Sequence, residues 1–64
     1  MANNKRMKAA RVLLGMTQRQ LAQLIGTREI EISRIETGRL APANELKEKI
    51  AKALDRPVFE FFDN

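Results

Sequence analysis

The sequence contains no cysteine and no histidine. Disulfides, thiolate chemistry, imidazole general bases and the common zinc sites are excluded together. The absence of cysteine suits a reducing compartment, and a cytoplasmic location is the default expectation. No apolar stretch approaches the roughly 18 residues that a membrane helix needs, so no membrane span is expected. Met1-Ala2-Asn3-Asn4-Lys5-Arg6 has no apolar run after its positive charges, which argues against a signal peptide. No nucleophile–base pair or metal cluster stands out, so neither an enzyme nor a cofactor is expected. Glycine (3 residues) and proline (2) are scarce and fall between periodic segments, as punctuation.

What is present is mostly charge and helical periodicity. The 64 residues suffice for a single domain, 1–64, with one small core and no deep pocket. Lysine and arginine number 12 against 8 acids, a net charge of +4. Residues 1–28 hold six cations (Lys5, Arg6, Lys8, Arg11, Arg19, Arg28) and no acid; residues 29–64 hold the other six cations and all eight acids. An acid-free basic half is the electrostatic footprint of a polyanion binder. The bland alternative is a merely soluble basic surface.

The periodicity predicts a helix from Lys5 to Leu14, with Met7, Ala10, Arg11 and Leu14 on one face. Gly15 ends it, and Thr17 with Gln20 forms a capping-box pattern for the next helix. That helix, about Gln18 to Ile25, is expected to bury Leu21, Ala22, Leu24 and Ile25 before Gly26 stops it. A third runs from Arg28 or Glu29 to Thr37, with Ile32 and Ile35 inward and Gly38 closing it. A fourth, about Ala43 to Leu54, presents Leu46, Ile50, Ala53 and Leu54 inward. Pro57 suits the first position of a short fifth helix with Val58, Phe61 and Phe62. No segment alternates with period two over a useful length, so strands are not expected.

The stretch from Gln18 to Ile35 has the form of a helix-turn-helix. Ala22 is small where the two helices must approach, and Gly26 supplies a turn residue tolerant of positive φ. Ile32 and Ile35 plug the angle between the helices, with Leu21 and Ile25 filling the rest. Arg28, Glu29, Ile30, Ser33 and Arg34 are then left outside, free to enter a major groove.

Over about residues 5–62 the chain resembles the phage repressor/Cro (Xre-like) family of helix-turn-helix domains. The matching residues are Arg11, Gly15-Met16-Thr17-Gln18, Leu21-Ala22, Gly26, Ile32-Ser33-Arg34-Ile35-Glu36, Gly38, Pro42 and Ile50-Ala51-Lys52-Ala53-Leu54. The resemblance implies an all-α, lambda-repressor-like fold, a compact bundle of about five short helices around the central helix-turn-helix. It also implies a transcriptional regulator that binds operator DNA, usually as a dimer, with the third helix in the major groove. Five positions depart from the family pattern. Arg28 occupies the usual cap position before the third helix, and Glu29 and Ile30 stand where uncharged polar residues are common. Asp55 replaces a usual Gly, and Lys47 a frequent apolar residue, with Leu46 serving instead.

Several residues admit two readings. Gln18 is a solvated polar residue, or it bonds a phosphate and braces the third helix. Ile30 packs inward, or it reads a thymine methyl. Glu29 stabilises the helix dipole, or it accepts from cytosine N4. Arg11 and Glu36 pair with each other, with Arg11 also in reach of a phosphate. Phe59 and Phe62 share a face in a helical register and serve a homodimer contact or extra core packing.

The expected mechanism therefore has two parts. Arg11, Thr17, Gln18, Arg19, Arg28 and Arg39, with amides at the N-termini of the second and fourth helices, hold the phosphates of double-stranded DNA. Glu29, Ile30, Ser33 and Arg34 read base edges of a palindromic operator. The rival is a protein-interaction module, such as an antitoxin-like partner, that binds DNA only secondarily. Two cations against three acids between Arg28 and Glu36 support it.

Overall fold

The computed structural model describes residues 3–62. Four α-helices follow in order: α1 (Lys5–Leu13), α2 (Gln18–Ile25), α3 (Glu29–Glu36) and α4 (Asn44–Ala53). No strand forms among the described residues. The expected fifth helix is only a single 3-10 turn, Val58–Glu60, and Pro57 caps it rather than opening it.

Each helix end has a local cause. The Asn4 side chain accepts the Met7 N–H at 3.1 Å and so caps α1. The same residue donates from Nδ2 to the Phe61 carbonyl (2.9 Å) and from its backbone to the Glu36 carbonyl (2.8 Å). It thereby ties the chain start to the 3-10 turn and to the end of α3. At α2 the capping box is complete: Thr17 Oγ1 accepts from Gln20 N, and Gln20 Oε1 accepts from Thr17 N. Gly26 stops α2 at φ +76°, in the left-handed region where a Cβ is penalised. Asp55 also sits at positive φ (58°), so the residue after α4 does need the turn geometry that glycine usually provides.

The core is built from Met7, Leu21, Ile32, Ile50 and Leu54, with Ala22, Ile35, Phe61 and Phe62 around them. α2 packs most closely on α3, and almost fully buried Ala22 permits that approach. α4 covers α2, the 3-10 turn lies on α4, and α1 rests against α3.

Three expected placements are corrected. Leu24, expected in the core, is 62% exposed, and Leu14 is 52% exposed beyond the last turn of α1. Helix α2 is only 8 residues long, so its inward stripe is filled by Leu21, Ala22 and half-buried Ile25. Phe62 is not a surface partner of Phe59. The chain leaves the 3-10 turn and carries Phe61 and Phe62 into the core, their rings edge-to-face at 6.3 Å. Phe59 remains outside, 73% exposed. Lys47 places its ammonium 5.6 Å from the Phe62 ring centroid, which suits a cation at a position usually apolar.

Candidate nucleic-acid interface

Helix α3 has one face in the core and one in solvent. Ile32, Ile35 and Glu36 are buried, whereas Arg28, Glu29, Ile30 and Arg34 are exposed and Ser33 is half-buried. Ile30 is 47% exposed and therefore does not pack inward. The four expected base-reading residues thus lie on one short helix whose opposite side is locked.

The lock is ionic as well as apolar. Arg11 Nε donates to Glu36 Oε2 at 2.7 Å and Nη2 donates to Glu36 Oε1 at 3.2 Å, a two-point pair buried between α1 and α3. Gln18 Nε2 donates to Glu36 Oε1 at 3.0 Å, adding α2 to the brace. Arg11 Nη1 donates to the Met16 carbonyl at 2.7 Å. Arg11 is only 7% exposed, and each of its three nitrogens is engaged inside the protein. Its expected role at a phosphate is therefore corrected: a buried guanidinium spent on a carboxylate is a strut.

The acids of α3 consequently do not act as a group. Glu36 is internal. Glu31 turns back toward the helix start, where the Thr27 hydroxyl and the Arg28 N–H both donate to its Oε1. These bonds, the Thr27 hydroxyl first, hold its carboxyl below the usual range. Glu29 is left as the one exposed acid of α3 with no partner among the described residues. The charge imbalance that favoured a protein partner thus largely disappears from the outer face.

The remaining expected phosphate contacts lie at helix ends. Thr17 and Arg19 are exposed at the start of α2 beside Gln18. Arg39 is exposed just past α3, where its N–H donates to the Arg34 carbonyl at 2.8 Å. Ala43 caps α4 without a side-chain acceptor, so the first amides of α4 have no cap. No group of three or more acidic side chains among the described residues is placed to hold a metal ion.

A family model described as helix-turn-helix matches residues 7–61. The chain belongs to this family of DNA-binding regulators. The helix-turn-helix domain is similar to the restriction-modification controller protein C.AhdI from Aeromonas hydrophila, with a TM-score of 0.85. Identity there is 29%, over 92% of this chain and 89% of that one. It is also similar to PlcR of Bacillus thuringiensis, solved in complex with the peptide PapR7 and DNA, with a TM-score of 0.84 and 37% identity. That match covers 94% of this chain but only 22% of the PlcR chain. No curated protein matches the sequence.

Two features of the helix-turn-helix domain escape a reading by periodicity. Asn4 precedes a helix and has a capping side chain, a signal visible in the sequence, yet its two tertiary bonds are not. Glu31 follows Thr27 by one helical turn, but its bonds to the Thr27 hydroxyl and the Arg28 N–H depend on where α3 begins.

Proposed function

We propose that this domain regulates transcription in a repressor-like manner by reading operator DNA with α3 in the major groove. The observation that carries this is the outer strip of α3, Arg28, Glu29, Ile30, Ser33 and Arg34, backed by the buried Arg11–Glu36–Gln18 brace. A reading element must keep its geometry while it is desolvated, and the brace supplies that rigidity.

Arg34 donates to guanine O6 and N7, Glu29 accepts from cytosine N4, Ile30 meets a thymine methyl, and Ser33 bonds a neighbouring base edge. Thr17, Gln18, Arg19, Arg28 and Arg39, with the uncapped amides of α4 and those at the start of α2, hold phosphates. Two copies then read a palindrome, with exposed Phe59 as the contact between them. The similarity to PlcR, which was solved bound to DNA, supports DNA as the ligand class for this domain. No helix among the described residues is long and apolar enough to cross a membrane.

Selection from a random duplex pool tests the reading. The expected result is an enriched palindrome with half-sites about 10 base pairs apart. Binding to it should weaken with salt, log K falling by about 0.9 per neutralised phosphate for each unit of log salt. A pool with no enrichment, or an affinity flat in salt, overturns it.

A further inference from the structure

Arg28 stands at the N-cap of α3, where a side-chain acceptor normally satisfies a free amide. A guanidinium has donors only and cannot do this. The junction is instead tied by Glu31, whose Oε1 accepts the Arg28 N–H at 3.0 Å and the Thr27 hydroxyl. Arg28 Nε lies 3.9 Å from the same oxygen. Three groups from the two residues before α3 converge on one carboxylate oxygen. An acid in the first turn of a DNA-reading helix repels phosphates, so its presence there calls for a compensating role.

We propose that Glu31 is a positioning residue for sequence reading: it anchors Thr27 and Arg28, and so sets the register of α3 on the duplex. The proposal rests on the reading of α3 as the major-groove helix. Phosphate contacts supply no sequence information themselves, but they fix where the base-reading side chains fall. An Arg28 released from Glu31 still attracts any duplex. Glu29 and Ile30, which follow it directly, lose their alignment with the bases. Glu31 thus raises preference for the correct site while its charge lowers affinity for non-specific DNA.

The test compares Glu31→Ala and Glu31→Gln with the wild-type chain on the selected site and on a scrambled duplex of equal length. Measurements are made at a temperature where circular dichroism shows every variant folded. Both substitutions delete the same negative charge, so both should bind the scrambled duplex about twofold more tightly. Only alanine deletes the acceptor. Glu31→Ala should therefore lose about tenfold in preference for the site, whereas Glu31→Gln keeps it within about twofold. A purely structural role lowers the melting temperature of the alanine variant and leaves the preference unmoved. Thr27→Val removes one donor without altering α3 and should show a smaller loss of preference; no loss there overturns the proposal. A glutamine variant that falls as far as alanine also overturns it. Arg34→Ala serves as the reference: preference lost in that variant but intact in Glu31→Ala refutes the role of Glu31 alone. Preference intact in both refutes α3 as the reading helix, and the proposal with it.

Discussion

Ile32 and Ile35 are 0% and 2% exposed, whereas Ile30, on the same eight-residue helix, is 47% exposed. The same contrast holds for the acids. Glu36 is buried against Arg11, while Glu29 projects into solvent without a partner among the described residues. One side of α3 therefore answers to stability, and the proposed function assigns the other to recognition, although similar residue types occur on both. Helical periodicity alone produces this division, because residues three or four apart share a face and the residues between them turn away. A residue's type thus says little about its role in α3 until its face is known.

The largest effect should come from breaking the inner side. Glu36→Ala leaves the buried Arg11 guanidinium without its carboxylate and should cost about 3–5 kcal/mol of stability, measured by urea denaturation. A loss below about 1 kcal/mol would place the pair with exposed ion pairs and undo the division between the faces. Ile32→Ala should cost a comparable amount, about 2–5 kcal/mol, by leaving a cavity at the α2–α3 contact.

Arg34→Ala sharpens the outer side. It should leave the melting curve nearly unchanged while costing about 1–3 kcal/mol on the preferred DNA site and relaxing one base position. Equal weakening on every sequence, with the salt slope reduced by about one, would reassign Arg34 to a phosphate. Phe59→Ala should likewise spare the fold but remove cooperative filling of the two half-sites in a footprint. Cooperativity that survives in the folded variant would move the copy-to-copy contact elsewhere.

The smallest expected effect concerns acid. Glu31 has its carboxyl lowered from 4.5, so its folded form holds the proton less readily than its unfolded form. Its contribution is fully present above about 4.5, the unfolded value, and is lost as pH falls further through the lowered folded value. Comparing the pH dependence of stability in wild type and Glu31→Gln between pH 5 and pH 2 isolates that part, with roughly that range set by carboxylate titration. Parallel curves would show that the Thr27 and Arg28 bonds do not favour the charged form.

Much of this is legible in the chain. Gly15, Gly26 and Gly38 mark the helix ends because each stands after an apolar-periodic run, and all three adopt positive φ. Thr17 with Gln20 announces α2, and the Arg11–Glu36 pair follows from the family pattern. The departures cluster where periodicity is too short to decide. Over the 8 residues of α2, Leu24 and Ile25 compete for one inward position, and only packing against α4 shows that Ile25 takes it. A Phe59–Phe62 pairing requires an α-helix, and a single 3-10 turn rotates Phe62 inward instead.

What the sequence determined by itself is the set of local facts: where α1 to α4 begin and end to within a residue, which branched residues of α3 face inward, and that the basic half is free of acid. Each follows from backbone propensity and spacing, which act over one or two turns. What only the tertiary structure decided is how the polar groups are shared. Arg11 belongs to Glu36 and the Met16 carbonyl rather than to a phosphate, and Gln18 joins them. Glu31 serves Thr27 and Arg28, and Glu29 alone among the acids of α3 is left facing outward unpaired within residues 3–62. Hydrogen bonds and ion pairs depend on distances of about 3 Å. Those distances are set only when helices far apart in sequence are packed together.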